Sequence, residues 1–91
     1  MEKTRMQLQY YGRVQGVGFR YWACMQAEKS HVTGWAKNED DGSVTIQVQG
    51  TLDQIAHFRQ GMEHHFTMLY KVKDRIIPLE EKERDFRVRY H

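Results

Sequence analysis

Cysteine occurs once in the 91 residues, at position 24. No internal disulfide can form, and a reducing cytoplasm is the expected location. Proline also occurs once, and no Pro/Ser-rich stretch or long run of one charge sign divides the chain. One compact domain over residues 1–91 is therefore expected, with no room for a second. No run approaches the roughly 18 apolar residues of a membrane span. Met1 to Arg5 is polar and charged where a signal peptide needs a continuous apolar stretch, so no membrane partner is expected. The net charge of +2 is too small by itself to mark a nucleic-acid binder, which ordinarily shows a clustered basic face. It suits a small anionic ligand. What is present, 40% hydrophobic and 29% charged residues with no helical-length repeat, describes a globular chain with one modest core.

Met6, Leu8, Tyr10 and Val14 fall on alternate positions, with Gln7, Gln9 and Arg13 opposite, which is strand periodicity over 6–14. Gln15 to Gly18 breaks the pattern. Phe19, Trp22, Ala23, Gln26 and Ala27 then recur at mostly helical spacing. Val32 to Asn38 and Ser43 to Gln49 read as two strands, and Asp41-Gly42 between them signals an antiparallel hairpin. Thr51 followed by Gln54 resembles a capping box for a second amphipathic helix carrying Leu52, Ile55, Phe58, Met62 and Phe66, with Gly61 weakening its last turn. Tyr70 to Ile76 forms a fourth strand, and Phe86, Val88 and Tyr90 alternate in a short fifth. The expected class is α+β: a ferredoxin-like β-α-β-β-α-β sandwich, two helices on one face of an antiparallel sheet, plus a short C-terminal strand.

This topology carries a functional consequence. A helical crossover makes the first two strands parallel, and the third inserts antiparallel between them. Both parallel strands then end at one sheet edge, so the segment Gln15 to Arg20 and the residue Asn38 should face each other about 10 Å apart, two strand spacings. A phosphate and a water fit such a gap.

Gly12 to Arg20 reads as strand, glycine-bearing turn and helix start, where backbone amides and the helix N-terminus favour a phosphate. Gly16 and Gly18 supply permissive dihedrals, and Arg20 adds a planar, permanently charged fork. Glycines in a turn more often serve only to reverse the chain, and the Gly-Lys-Ser/Thr ending of a nucleotide P-loop is missing. Asn38, before Glu39-Asp40-Asp41-Gly42, would by default be a turn residue bonding its own backbone. Its position opposite the loop favours another role, because a neutral amide can donate to or accept from an attacking water without repelling phosphate.

Gly12-Arg13-Val14-Gln15-Gly16-Val17-Gly18-Phe19-Arg20, with Gly34-Trp35-Ala36-Lys37-Asn38-Glu39-Asp40-Asp41-Gly42-Ser43-Val44, closely resembles the two signature segments of acylphosphatases. Phe86-Arg87-Val88-Arg89-Tyr90 resembles the family's C-terminal strand, so the likeness spans nearly the whole chain. The resemblance implies a hydrolase that cleaves acyl phosphates into carboxylate and inorganic phosphate, without metal or other cofactor. It also implies that Arg20 and the amides of Gln15, Gly16, Val17, Gly18, Phe19 and Arg20 hold the phosphate, while Asn38 orients the water. Ser30 and His31 stand where the family often has leucine and glycine, and Ala36 where valine is common. His65-Phe66 stands where Gly-Pro is common, a change that bears on the acyl pocket if that loop reaches the site.

Other candidates carry less. His57, His64 and His65 lack the spacing of a metal site and are expected to be solvated. Cys24 is expected to be a packed thiol, Trp22, Trp35 and Phe58 core, and Glu80 to Asp85 a solvated linker. A monomer acting on a small acyl phosphate, with no nucleic-acid partner, is the expectation. The alternatives are a non-enzymatic anion-binding module of the same fold and an RNA-binding sheet. The latter needs stacking aromatics on central strands, and Ser43 to Gln49 has none, although Tyr10 and Tyr11 lie in the first strand.

Overall fold

The computed structural model describes residues 2–90. Met1, which opens the polar amino-terminal segment, and His91, which closes the expected domain, lie outside the described residues. The elements are β1 (Thr4–Gly12), α1 (Phe19–Ser30), β2 (Thr33–Asn38), β3 (Val44–Gly50), α2 (Leu52–Glu63), β4 (Leu69–Ile77) and β5 (Phe86–Arg89). The sheet order is β4-β1-β3-β2-β5, the split β-α-β arrangement with β1 and β3 inside. β1 pairs antiparallel with β3 and β4, and β2 antiparallel with β3.

β5 differs from the rest: it lies parallel to β2, so the five-stranded sheet is mixed and the antiparallel expectation holds for the first four strands. The reason is where β4 stops. Ile77 pairs with Arg5 at the start of β1, at the edge away from the β1 C-terminus. Residues 78–85 cross there to β2, where Gly34 donates its N–H to the Asp85 carbonyl at 3.0 Å. A strand starting from that edge can only run back in the direction of β2.

Period-2 alternation sorts the two faces. Leu8 and Tyr10 of β1 and Val44, Ile46 and Val48 of β3 face the helices, where they meet Phe19, Ala23 and Ala27 of α1 and Ile55, Phe58 and Met62 of α2. Each such fully buried large side chain contributes about 1.5–3 kcal/mol. Val14 is buried too, but from the loop, because β1 ends at Gly12. Gly61 does not fray α2; it sits where α1 comes close, and the Trp22 indole donates to its carbonyl at 3.1 Å.

The opposite parity puts Arg5, Gln7, Gln9, Thr45, Gln47, Trp35 and Lys37 on the helix-free face. Trp35 is therefore not a core residue; the Arg89 guanidinium lies 4.7 Å over its ring. Nor is Glu80 to Asp85 merely solvated, since Glu83 receives a bidentate ion pair from Arg5 at 2.8 and 3.0 Å. Arg5, 1% exposed, completes its fork on Gln47 and Gln49. His57, His64 and His65 are all exposed, as expected of surface histidines, and two of them have close neighbours. His57 Nδ1 lies 2.7 Å from the buried Ser30 hydroxyl, and His65 stacks on Trp22 with ring centroids 3.8 Å apart.

His31 holds the cap of α1 at φ 58°, ψ 40°, its N–H reaching the Ala27 and Glu28 carbonyls. Left-handed backbone favours glycine and costs an L-residue about 1 kcal/mol or more. His31→Gly is expected to raise the melting temperature by about 4–8 °C, which calorimetry measures.

The Tyr10 hydroxyl donates to Glu63 Oε2 at 2.9 Å, and Glu63 is held by Arg59, which also reaches Asp74. Burial first, and the Glu63 charge second, push the Tyr10 pKa well above its ordinary value. The folded state thus holds this proton more tightly than the unfolded one. The stabilisation is fully present below the unfolded tyrosine pKa near ~10 and is lost as pH rises toward the folded value. Tyr10→Phe is expected to cost about 1 kcal/mol at pH 7, since Glu63 keeps Arg59, and to flatten the stability loss above about pH 10 in urea titrations.

Candidate active site

Tyr10, Val44 and Asn38 form one row across β1, β3 and β2, so the chain leaving β1 and the last residue of β2 meet at one sheet edge. A cleft of about 310 Å³ opens there. Gly16, Gly18, Phe19 and Arg20 line it from the loop and the first turn of α1, and Asn38 lines it from β2. The shared edge inferred from strand order is therefore the one observed.

Gly16 and Gly18 hold φ values of 74° and 78°, which turn the chain from β1 into α1 without strain. Gly18 is the N-cap, and the helix has neither a side-chain cap nor an acidic residue in its first turn. α2 is built the opposite way: the Thr51 hydroxyl accepts from the Gln54 amide, Gln54 answers the Thr51 amide, and Asp53 sits in the first turn. The α1 amides have no such partners, so their positive end is available to an anion. Arg20 is half-buried and makes no ion pair among the described residues; its guanidinium lies 5.2 Å from the Tyr90 ring centroid.

Asn38 is spared turn duty by its neighbours. Asp41 Oδ1 accepts from the Ser43 amide at 2.9 Å and the Ser43 hydroxyl at 2.6 Å, while Glu39 N–H bonds the Ser43 carbonyl. These bonds hold the Asp41 carboxyl below its ordinary pKa. Gln15, expected at the phosphate, spends its side chain elsewhere: Nε2 donates to the carbonyls of Glu39 and Ser43 at 2.8 and 2.9 Å, tying loop to hairpin. Neither Gln15 nor the exposed Val17 lines the cleft, which leaves both only their backbone amides to offer.

Five further lining residues were not among the expected site residues: Val14 from the loop, Tyr21 and Cys24 from α1, and Val88 and Tyr90 from β5 and its end. Position relative to Arg20 was the available signal, since Cys24 is one helical turn on. Burial pushes the Cys24 thiol up, keeping it neutral and a poor nucleophile at pH 7. His65 and Phe66 are not part of the cleft wall. Phe66 packs on Phe19, ring centroids 4.4 Å apart, so this segment reaches the site through that ring. Among the described residues no three His, Cys, Asp or Glu side chains converge as a metal site requires.

Fold and cleft define an α+β protein of the split β-α-β type with an anion-receptive helix start at its sheet edge. The acylphosphatase family model matches residues 6–88, and the chain belongs to that family. It is 44% identical over 82 residues to the acylphosphatase of Geobacillus kaustophilus, covering 87% of this chain and 86% of that one. With the Bacillus licheniformis acylphosphatase the identity is 46% over 52 residues, 57% of this chain and 58% of the relative's length. The crystal structure of acylphosphatase from Bacillus subtilis superposes with a TM-score of 0.88 at 31% identity, covering 96% of this chain and 99% of that one.

Gln15→Ala removes both ties between loop and hairpin and leaves the Glu39 and Ser43 carbonyls with only their backbone donors, the N–H groups of Gly42 and Glu39. It is expected to cost about 1–3 kcal/mol, read as a lower urea midpoint, and to weaken inorganic phosphate binding measured by calorimetry.

Proposed function

We propose that this chain hydrolyses the carboxyl–phosphate bond of acyl phosphates, releasing a carboxylate and inorganic phosphate. The observation that carries the reading is the start of α1, which has no side-chain cap, with Arg20 on the same cleft as the amide of Asn38. The phosphoryl oxygens sit against the amides of residues 15–20 and the Arg20 guanidinium, whose fork binds two oxygens at once. Asn38 holds a water by its amide and aims it at phosphorus. The water oxygen forms the new P–O bond as the bond to the acyl oxygen breaks, the electron pair leaving with the carboxylate. A carboxylate, of pKa ~4.3 in a glutamyl side chain, departs without a general acid. The water's proton passes to a phosphate oxygen.

Phosphoryl transfer asks mainly for positioning and charge stabilisation, and the cleft offers both. Arg20 and the amides supply positive charge, so the reaction is read as needing no metal or cofactor, and chelator is expected to leave the rate unchanged. Simple phosphate monoesters are poor substrates on this reading, because their alkoxides need a proton donor. The protein acts as a cytoplasmic monomer on small molecules. Against a nucleic-acid role stand the open-face aromatics Tyr11 and Trp35, each covered by the chain's own cations, Lys71 and Lys73 for the first and Arg89 for the second.

Kinetics on folded variants separate the two roles. Arg20→Lys keeps the charge but loses the planar fork, so activity is severely reduced and competition by inorganic phosphate weakens. Asn38→Ala keeps phosphate binding while kcat falls about 10²- to 10³-fold. Near-normal turnover in either variant removes that residue from the mechanism. Phosphate binding by the wild-type protein without turnover of acetyl or benzoyl phosphate makes it an anion-binding module.

A further inference from the structure

The cleft is larger than its phosphate end. At ~30 Å³ per liquid water, its roughly 310 Å³ equals about ten waters, whereas a phosphate has five heavy atoms. Apart from the buried Val14 beneath the loop, the remaining wall is Tyr21, Cys24, Val88 and Tyr90. Cys24 lies four residues beyond Arg20, about 6 Å along α1 at the rise of a helix. Val88 lies two residues before Tyr90 on the strand beside it, about 7 Å at the rise of a strand. This wall thus runs from the guanidinium along the seam between α1 and β5. It holds no charged side chain, and its thiol is kept neutral by burial. Its rim is formed by two aromatic rings that the fold leaves in solvent, Tyr21 at 71% and Tyr90 at 74% exposure.

We infer that this seam is the acyl-group subsite and that it selects neutral aromatic or extended apolar acyl phosphates over acetyl-sized ones and over those with a second charge. The inference rests on the acylphosphatase reading. An aryl carboxyl phosphate with its phosphoryl group at Arg20 and the α1 amides places its ring against Tyr21 and Tyr90 over Cys24 and Val88. That covers apolar surface which acetyl phosphate leaves wet, and it adds ring-on-ring contact. A second carboxylate on the acyl group finds no cation there among the described residues, of which Arg20 is the one charged member of the cleft wall and is engaged by phosphate.

The experiment is the ratio of kcat/KM for benzoyl phosphate to that for acetyl phosphate. It is measured for the wild-type protein, Tyr21→Ala, Tyr21→Phe and Tyr90→Ala, with inhibition by inorganic phosphate alongside. The wild-type ratio is expected to favour benzoyl phosphate. Tyr21→Ala lowers it by about two- to ten-fold, the range of one aromatic pair. Tyr21→Phe keeps it, and the phosphate inhibition constant does not follow the ratio. Tyr21 is mostly in solvent on a helix, so alanine there does not threaten folding. Tyr90→Ala, which also uncovers Arg20, is read through the ratio alone. An unchanged ratio in Tyr21→Ala, with acetyl phosphate still hydrolysed, overturns the subsite and leaves the activity standing. If the wild-type protein hydrolyses neither compound, the activity falls and the subsite with it.

Discussion

The insertion of β3 between β1 and β2 decides where chemistry can occur in this molecule, because two strands antiparallel to the same neighbour must end at the same edge. β1 delivers its loop and the start of α1 to that edge, and β2 delivers Asn38. A tight turn cannot join parallel strands, so α1 has to begin where β1 stops and run back across the sheet. Its N-terminus is therefore set at the edge by connectivity alone. The core that holds the arrangement, Leu8, Tyr10, Val44, Ile46 and Val48 beneath Phe19 and Phe58, lies directly behind the site rather than around it.

What distinguishes this edge from an ordinary sheet end is the division of labour among polar groups. α2 meets its own N-terminal needs with Thr51, Gln54 and Asp53, and α1 does not. The hairpin turn is closed by Asp41, and Gln15 joins hairpin to loop, so neither task falls to Asn38. The groups left over are amides, a guanidinium and a carboxamide, all able to donate to oxygen. A cluster of unsatisfied donors is unfavourable in an empty fold and favourable around an anion, which is how a site pre-organised for charge differs from one optimised for stability.

The elements with strict periodicity, Met6 to Tyr10 and Val44 to Val48, were legible because apolar side chains take the helix-facing side and mostly polar ones the other, even where that other side is buried as at Thr45. The glycines at 16 and 18 marked the turn they make. The cleft's phosphate end followed from topology. Less visible were features that depend on distant partners. Arg5 reads as part of a polar amino-terminal segment until Glu83, 78 positions away, folds over it. Trp35 reads as core by hydrophobicity, and only its parity with Lys37 assigns it to the other face. The parallel sense of β5 depends on where β4 ends, and Tyr21, Cys24 and Val88 join the cleft only once β5 is docked beside α1. Residue type carries none of this information; contact across the sheet does.

That docking leads back to the buried arginine on the far side of the sheet. Desolvating Arg5 and Glu83 costs several kcal/mol per ion, and the attraction regains this only where geometry is good and every donor is used. Here the fork is bidentate to Glu83 and its other bonds fall on Gln47 and Gln49, so the pair is close to neutral in energy rather than a large gain. Its consequence is positional. Residues 78–85 have few apolar groups to hold them, and Arg5 with the Gln49–Glu80 backbone contacts fixes their path across the sheet. That path sets the register of Phe86 on Gly34, and with it the height at which Val88 and Tyr90 stand beside α1. A charge pair at one edge of the sheet thereby determines the shape of the cleft at the other, through a strand of four residues that has no alternative register once Asp85 is held by Gly34.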